Sequence, residues 1–435
     1  MRRIMPENQD DSTKNQDDST TVATGETSRR EFVKMAATGL TLAATSKIAL
    51  AQAVSDSAIP NSAVSNPAIP NRAIGRPMPE LEESLPGAPD ERVGYAVVGL
   101  GKFALNQILP NFEDSKKSKL VALVSGDANK AQKVARQYNL SSANLYNYQN
   151  FDSIRNNPAV RVVYVITPNS LHREFVERAA RAGKNVLCEK PFATNSADCR
   201  AMIATCRNAD VKLMVAYRAQ YEPFNLEAIR ISRSGELGKI VNIVADHGRP
   251  VDASDPADQW RLKKAIAGGG PLPDIGIYSL NACRYLTGEE PIEISAQLVQ
   301  PAGNPKFREV EQSVVWTMRF PSGVLTTCTA TYDFGEVKRY RVFFENGWLD
   351  LDPATDYDKH RLTVSKKAPA GLPYKSVEQE LPIPEGNQFA AELDHMSNCV
   401  LQNLAPKTPG EEGLRDVRLI EVIYEAARTG RTLKI

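Results

Sequence analysis

A glycine-rich turn that directly follows a β-rich run is the feature that most constrains this chain. Residues 92–98 read RVGYAVV, and residues 99–104 follow as GLGKFA, a G-x-G-x-x-A fingerprint. The first glycine of such a fingerprint permits a tight turn, and the second lets the backbone approach a pyrophosphate. The small third residue lets the next helix pack on the strand, with the helix N-terminus facing the phosphates. The pattern predicts the first unit of a dinucleotide-binding domain.

Strand-like and helix-like runs alternate after this turn. The β-rich runs cover residues 119–125, 161–166, 184–188 and 211–216, and segments with helical spacing separate them. Such alternation is typical of a parallel, doubly wound sheet. We therefore predict an α/β protein with a Rossmann domain at residues 91–217 and a second domain at residues 218–435. The second domain shows alternating runs from residue 240 onward and a final amphipathic helix at 414–428.

The first 53 residues are typical of an export signal. Residues 1–27 are polar, residues 28–34 read SRREFVK, and a short apolar run ends in Ala51-Gln52-Ala53. A charged start, a short apolar segment and an A-x-A end describe a cleavable signal, and paired arginines resemble the bacterial twin-arginine type. We expect cleavage after Ala53 and a periplasmic protein. The alternative is an amphipathic helix that begins with two arginines.

Residues 54–90 contain seven prolines. Proline fixes φ and removes a backbone donor, so this segment is expected to be extended and without regular structure. It is either a flexible linker or an arm that docks on the body or on a neighbouring subunit. In the second case Ile59, Val64, Ile69 and Ile74 would be its apolar anchors.

Composition excludes several classes of protein. Lys and Arg number 53 against 52 Asp and Glu, so the basic excess usual in nucleic-acid binding is missing. No apolar run is long enough for a conventional membrane-spanning helix, which needs about 18 or more residues. The six cysteines form no C-x-x-C pair and have no histidine at ligand spacing, so we expect no metal site and interpret them as buried small hydrophobes.

The end of the second strand bears on which nicotinamide cofactor is bound. An NAD site usually has Asp or Glu about 20 residues after the glycines, where it binds the ribose 2′-hydroxyl. This chain has Ser125-Gly126-Asp127 there, followed by Lys130 and Lys133. A small neutral Ser125 with a nearby lysine favours the 2′-phosphate of NADP. The alternative is that Asp127 is the ribose acid, displaced by two residues.

Two turns carry candidate chemistry. Thr167-Pro168-Asn169-Ser170-Leu171-His172 ends one strand, and Glu189-Lys190-Pro191 ends the next. Ligands of open α/β sheets bind outside the carboxyl ends of the strands, so both turns should face the cofactor. Lys190 is placed to relay a proton or to act as an electrostatic clamp. The alternative is an ordinary surface lysine in a loop.

The order of four motifs resembles the Gfo/Idh/MocA family of sugar and polyol oxidoreductases. They are G-x-G-x-x-A, T-P-N-x-x-H, A-G-K-x-V-x-x-E-K-P and G-G-G-x-x-x-D-x-G, and the resemblance covers residues 92–435. Stretches at 217–225, 255–262, 274–278 and 409–413 resemble the glucose–fructose oxidoreductase branch. The resemblance implies a second α/β domain with a large, mostly antiparallel open sheet. One face of that sheet would cover the nicotinamide, and the other would form contacts in a homo-oligomer, a dimer or tetramer.

The resemblance also implies roles for individual residues. Lys190 matches the family's catalytic lysine and Asp274 its substrate-binding acid, while Tyr278 stands where most members have histidine and would exchange the proton with a sugar hydroxyl. Tyr217, Trp260 and Arg261, with Asp274 and Tyr278, are expected to bind the sugar. The residues expected to contact the cofactor are Gly99, Gly101, Lys102, Phe103, Ala104, Ser125, Gly126, Lys130, Thr167, Pro168, Asn169, His172, Glu189, Lys190 and Arg218.

Several of these residues have a purely structural alternative. Tyr278 and Trp260 are also compatible with core aromatics, and Arg218 with a pair to a structural carboxylate. Gln220 departs from the histidine of the glucose–fructose branch in a stretch expected to border the sugar. His247, His360 and His395 are interpreted as structural or surface residues.

The activity implied is an NADP-dependent oxidation of an aldose, glucose, at C1 to the lactone, followed by reduction of a ketose, fructose, to the polyol with retained cofactor. Small-molecule sugars are then the partners. Because of Gln220, an aldose–aldose oxidoreductase is the first alternative, beside a dehydrogenase that releases its cofactor. A cofactor-binding regulatory module without turnover is the alternative of another class.

Overall fold

The computed structural model describes residues 91–368, 370–371 and 375–435. The expected export signal and the Pro-rich segment, residues 1–53 and 54–90, lie outside the described residues. Two β-sheets organise the described part. No helix in the described ranges is long and apolar enough to cross a membrane.

The first sheet has six parallel strands in the order β3-β2-β1-β4-β5-β6, the Rossmann order predicted from the alternation of strands and helices. Both faces of the sheet are covered, which is why all residues of β1 are buried. Its strands are β1 Val93–Val98, β2 Ser118–Val124, β3 Leu145–Tyr146, β4 Val162–Val165, β5 Asn185–Glu189 and β6 Leu213–Ala216.

Three regular helices connect these strands: α1 Ala128–Gln137, α2 His172–Arg181 and α3 Ser196–Asn208. The helix after the glycine turn is irregular, since residues Ala104–Ile108 form a π-helical turn and Pro110–Phe112 a 3₁₀ turn. Proline at position 110 cannot donate an intrahelical hydrogen bond, which limits the length of a regular helix here.

The second sheet has nine strands in the order β14-β13-β12-β11-β7-β10-β9-β8-β15. Only the central pair β7 and β10 is parallel, so the expected large, mostly antiparallel sheet is confirmed. The strands are β7 Ile240–Gly248, β8 Glu293–Val299, β9 Ser313–Arg319, β10 Leu325–Thr331, β11 Val337–Phe344, β12 Gly347–Leu351, β13 Leu362–Lys367, β14 Ser376–Glu380 and β15 Leu433–Lys434.

Six further helices are α4 Pro223–Ser234, α5 Pro256–Gln259, α6 Lys264–Ala267, α7 Ile277–Thr287, α8 Gln388–Leu401 and α9 Gly410–Thr429. Helix α7 packs on β7 and β10 of the second sheet. Helix α8, by contrast, returns to the first sheet, where Phe389, Leu393 and Met396 share a core with β1. The phenol of Tyr95 in β1 donates to the carbonyl of Leu393 over 2.9 Å. Helix α9 contacts β8 of the second sheet while α8 contacts β1, so the end of the chain packs on both sheets.

All six cysteines are free thiols with buried side chains, which confirms their interpretation as small hydrophobes. The sulfurs of Cys283 in α7 and Cys328 in β10 are 3.6 Å apart, so they contribute to the contact between that helix and the sheet.

Candidate active site

The turn after β1 has the geometry expected of its glycines. Gly99 has φ +95°, and a Cβ there would lie 2.5 Å from the carbonyl oxygen of Ile166. Only glycine combines this φ with so close a contact. A Cβ on Gly101 would meet nothing within 4 Å, so open space for a ligand adjoins the turn. Ala104 is fully buried, as close packing of helix on strand requires.

The end of β2 places a lysine beside this turn. The Asp127 carboxylate accepts from Lys130 N over 3.0 Å and so caps α1. The Lys130 ammonium reaches the carbonyl of Leu100 over 3.4 Å. Ser125 is buried, and its hydroxyl accepts from the amide of Asp127. Because the Asp127 carboxylate already serves as the helix cap, the arrangement favours Lys130 over Asp127 as the group facing the adenosine ribose.

The resemblance predicts that His172 contacts the cofactor, but in the structure its ring nitrogens face backbone carbonyls. Its Nε2 lies 2.9 Å from the carbonyl of Thr167, and its Nδ1 lies 3.1 Å from that of Pro191. The ring is fully buried, and burial lowers the pKa of His172. With both nitrogens facing backbone carbonyls, His172 joins the turn after β4 to the turn after β5, and no ring nitrogen is left for a nucleotide.

Two other polar side chains of the turn after β4, those of Asn169 and Thr167, differ in their hydrogen bonding. Asn169 donates to the carbonyl of Ala267 over 2.9 Å and so ties the turn to α6. The buried hydroxyl of Thr167 has no hydrogen-bond partner among the described residues. Buried polar groups are nearly always paired, so this hydroxyl fits a polar atom of a bound dinucleotide. Pro168 lies between them in the same turn.

Lys102 and Phe103, near the end of the glycine fingerprint, contact residues in the second half of the chain. The Lys102 ammonium lies 3.6 Å from the Asp255 carboxylate, which caps α5. The ring of Phe103 packs edge-on against Phe389 with centroids 6.0 Å apart. Gly126 faces the Tyr148 ring, since a Cβ there would lie 3.0 Å from it.

The end of β5 fixes the catalytic candidate Lys190. Glu189 accepts a 2.6 Å hydrogen bond from the phenol of Tyr164, and burial raises the pKa of Glu189. The ammonium of Lys190 donates to the backbone carbonyl of Asp274 over 2.6 Å. It also lies 4.5 Å from the centre of the Tyr278 ring. Lys190 is therefore a half-buried group tied to the segment that carries the other two candidates, and the interpretation as a free surface lysine is excluded.

Asp274 lies in a π-helical turn, Leu272–Gly276, that continues into α7. Its carboxylate accepts from the phenol of Tyr332 over 2.8 Å, and the guanidinium groups of Arg261 and Arg249 lie 3.3 and 3.4 Å away. Burial by itself raises the pKa of Asp274, but the positive charges of Arg261, Lys190 and Arg249 outweigh it and hold the pKa well below its ordinary value. Asp274 is thus an ionised acceptor.

Tyr278 lies in the first turn of α7 between cations and an imidazole. Its ring centre is 5.2 Å from the guanidinium carbon of Arg218, and the His247 ring stacks on it at 5.7 Å. The His247 nitrogens face the hydroxyls of Ser279 and Thr355 at 2.8 and 2.9 Å. Burial, with charges from Lys338, Arg218 and Lys190, lowers the pKa of His247 to about 3, so the stacked ring is neutral.

The Arg218 guanidinium binds the backbone of a loop, and not the structural carboxylate of the alternative interpretation. Its guanidinium donates to the carbonyls of Thr355 and Asp356 and to the Gln388 side chain over 2.6, 3.0 and 2.5 Å. The ring of Tyr357 lies 4.8 Å from its guanidinium carbon. Arg218 therefore joins the end of β6 to the loop between β12 and β13, beside Tyr278.

The structure corrects two expectations for the segment after β6. Tyr217 is buried in the core, where burial raises its pKa and the nearby carboxylates of Asp416 and Glu412 raise it further. Gln220 is also buried and donates to Asn281 over 2.8 Å. Tyr217 is 2% and Gln220 4% exposed, so both side chains are buried in the core and do not line an open sugar site.

Arg261 and Trp260 lie in a short 3₁₀ turn, Trp260–Leu262. The Arg261 guanidinium covers the Trp260 ring at 4.5 Å and also approaches Asp258. Trp260 is half-buried, so it is not a core aromatic. The structure thus brings together Lys190, Asp274, Tyr278, Arg218 and Arg261. It adds Arg249, His247 and Tyr332, which the sequence did not single out as site residues, because only the pairing of distant strands brings them to Asp274 and Tyr278.

The fold and the site define a class: a chain with a dinucleotide-binding Rossmann domain whose strand ends meet a second, mostly antiparallel sheet. Residues 93–217 match the family described as "Oxidoreductase family, NAD-binding Rossmann fold", and residues 226–350 match the GFO/IDH/MocA C-terminal domain. The chain belongs to the GFO/IDH/MocA oxidoreductase family.

Three similar proteins indicate the range of that family. D-xylose 1-dehydrogenase [NADP(+)] of Haloarcula marismortui is 28% identical over 80% of this chain and 94% of the relative. Trans-1,2-dihydrobenzene-1,2-diol dehydrogenase of Xenopus laevis is 32% identical over 71% of this chain and 88% of the relative. The crystal structure of aldose-aldose oxidoreductase from Caulobacter crescentus, complexed with glycerol, is 47% identical with a TM-score of 0.75 and covers 79% of this chain and 100% of that chain.

Proposed function

We propose that this protein is an NADP-dependent oxidoreductase that oxidises an aldose at C1 and passes the hydride to a second sugar. The observation that carries the proposal is the contact of Lys190 with both Asp274 and Tyr278 at the carboxyl ends of the Rossmann strands. Ligands of such sheets bind at that edge, so the three groups lie where a sugar and a nicotinamide would meet.

Each side chain has a role that its surroundings support. The Asp274 carboxylate, kept ionised by its arginine neighbours, accepts hydrogen bonds from sugar hydroxyls and orients the ring. The Tyr278 side chain, as the phenolate, accepts the proton of the reacting hydroxyl and becomes the phenol, which returns that proton in the reverse reaction. The Lys190 ammonium stabilises the negative charge that develops on the oxygen as the proton leaves. The nicotinamide ring, when bound, supplies the hydride acceptor.

The choice of NADP is supported by the β2 end of the site. Ser125 is small and neutral, and the Lys130 ammonium lies beside the glycine turn, which suits a 2′-phosphate. The xylose dehydrogenase relative carries NADP(+) in its name. The unpartnered Thr167 hydroxyl and the open space at Gly101 fit the pyrophosphate half of the same cofactor.

For the second sugar we favour an aldose, in preference to the ketose of the glucose–fructose branch. The support is the 47% identity to an aldose-aldose oxidoreductase. Gln220, which first suggested this alternative, lies in the core network and does not bear on the choice. A regulatory module without turnover is disfavoured, because Lys190, Asp274 and Tyr278 are all in place.

The proposal also includes export of the protein to the periplasm and association of the chain with further copies of itself. Residues 28–53 support passage through the twin-arginine route to the periplasm, where retained NADP would remove the need for a free pool. The face of the second sheet opposite α7 exposes Val315 and Leu325 and also carries the paired Phe343 and Trp348, which supports contact between copies of this chain. Val315→Glu with Trp348→Glu would then yield a smaller species in light scattering, with the fold retained by circular dichroism.

The test of the function uses the purified full chain in the absence of added cofactor. Glucose or xylose is expected to produce the absorbance of reduced nicotinamide, and a second aldose to abolish it. Discharge by an aldose alone supports the aldose–aldose reaction. Discharge by fructose supports the ketose acceptor instead, and absorbance that needs added NADP indicates a dehydrogenase that releases its cofactor. Failure of every sugar, with or without NADP, overturns the proposal.

A further inference from the structure

A buried carboxylate outside the cluster is bound to the loop that leads into it. Glu311, just before β9, is only 4% exposed. One of its oxygens accepts from Gly270 N over 3.0 Å. The other accepts from Leu272 N over 3.2 Å and from the phenol of Tyr424 in α9 over 2.7 Å. A single side chain thus receives two main-chain donors of the same short loop.

The geometry of this loop explains why these donors need an outside acceptor. The π-helical turn that contains Asp274 begins at Leu272, and the first amide groups of a helical segment have no acceptor within the helix. A carboxylate at that end also interacts favourably with the helix dipole. Glu311 therefore supplies the acceptor where the chain enters the turn.

The loop at Gly269 and Gly270 also lies in close contact with Tyr424 and Glu311. A Cβ on Gly269 would lie 1.9 Å from the Tyr424 hydroxyl oxygen, and one on Gly270 would lie 2.5 Å from the carbonyl oxygen of Glu311. No side chain fits at either position. The glycines are required here by close contact with Glu311 and Tyr424.

We propose that Glu311 is a positioning residue that fixes Asp274 and Tyr278 relative to Lys190. The inference rests on the proposed function. Its link to the chemistry is the backbone carbonyl of Asp274, which accepts the hydrogen bond from the Lys190 ammonium. A displacement of the loop moves that carbonyl, and with it the ammonium, while Glu311 itself touches neither sugar nor cofactor.

The test compares Glu311→Gln with a matched control, Glu222→Gln. Glu222 is as deeply buried and also accepts two main-chain amides, Phe224 N and Asn225 N at 2.9 and 2.7 Å, but it caps α4 away from the loop. Glutamine has one acceptor oxygen and turns an NH₂ group toward the second amide. A third variant, Tyr424→Phe, removes the phenol that donates to Glu311 and leaves the amides of Gly270 and Leu272 paired with the Glu311 carboxylate.

We expect Glu311→Gln to lower kcat about 10- to 100-fold with the sugar KM and the NADP Kd within about threefold, as lost orientation does. Amide exchange of a peptide covering residues 268–276 should accelerate in the same variant. Glu222→Gln should leave both quantities near wild type even where its melting temperature falls, and Tyr424→Phe should keep kcat within about threefold.

Wild-type kcat and unchanged exchange in Glu311→Gln would overturn the inference, as would an equal loss of kcat in Glu222→Gln. Exchange is measured without substrate, so it reports on the loop even if no sugar is turned over. Absence of wild-type activity with faster exchange in Glu311→Gln would therefore refute the proposed function and still support the role of Glu311 in fixing the loop.

Discussion

The ammonium nitrogen of Lys190 lies 4.5 Å from the centre of the Tyr278 ring. This contact joins the carboxyl end of a Rossmann strand to the first turn of a helix on the second sheet. It is held by the hydrogen bond from the same ammonium to the backbone carbonyl of Asp274. A lysine tethered in this way presents its charge at a fixed place, where charge develops on a reacting hydroxyl.

Replacing this lysine is expected to abolish most of the turnover. Lys190→Met keeps the length of the side chain and removes the charge, so kcat should fall about 10²- to 10³-fold, as loss of one group that stabilises developing charge does. The measurement is single-turnover reduction of bound cofactor by an aldose. Lys263→Met is the control, because Lys263 is exposed and its ammonium pairs with the exposed carboxylate of Glu309. Equal rates in both variants would remove Lys190 from the mechanism.

Tyr278→Phe separates proton transfer from packing. The ring still stacks on His247, while the phenolic oxygen that would exchange the proton is lost. We expect kcat to fall about 10²-fold or more with the Kd of NADP within about threefold. Stopped-flow absorbance gives the first quantity and cofactor fluorescence the second. A variant that reduces its cofactor at the wild-type rate would leave Tyr278 with a packing role only.

Asp274 provides a pH test of the electrostatic cluster. Its pKa is depressed in the folded protein, so its stabilising contribution is complete above the unfolded value of about 3.9 and is lost only as pH falls toward the folded value. Asp274→Asn should therefore cost about 1–3 kcal/mol of unfolding free energy at pH 7. Urea unfolding from pH 3 to 8 should show a difference that is constant above about pH 5 and shrinks below pH 4. A difference that stays constant down to pH 3 would show that the carboxylate titrates in the folded protein as it does in the unfolded chain.

The preference for NADP over NAD is tested by replacing lysines of α1. Lys130→Ala should weaken NADP binding about tenfold, the worth of one charge-assisted contact to a phosphate, and leave NAD binding unchanged. Lys133→Ala is the matched control, since Lys133 is an exposed lysine on the same helix. Isothermal titration with both cofactors is the measurement. Equal losses for NADP and NAD in Lys130→Ala would argue against a 2′-phosphate at this position.

The Rossmann half was predictable because its signals are local. The glycine turn and the burial of β1 are set by neighbouring residues, and the strand order follows from regular alternation. Lys190 was indicated by its place at the end of a strand, whereas the role of Asp274 was implied only by the family resemblance. The resemblance, and not the periodicity, implied the second sheet, whose runs pair across long stretches of chain.

The residues that contact the site residues could not be predicted from the sequence. Arg249 and Tyr332 reach Asp274 from the ends of β7 and β10, a parallel pair distant in sequence, and no local pattern marks either residue. The expectation that Tyr217 binds the sugar rested on its position in the sequence next to other candidate site residues. Tyr217 adjoins Arg218, which does lie beside Tyr278, but the chain leaves β6 at Ala216 and enters a 3₁₀ turn at Arg218, and the ring of Tyr217 is buried in the core.

The most direct test of the account is a single-turnover titration of the purified chain with its resident cofactor. Addition of one aldose should generate the reduced-nicotinamide absorbance stoichiometrically with the protein, and a second sugar should discharge it without release of cofactor to the filtrate. The Lys190→Met variant should show neither change. Resident cofactor that no aldose reduces, or equal reduction in wild type and Lys190→Met, would contradict the account.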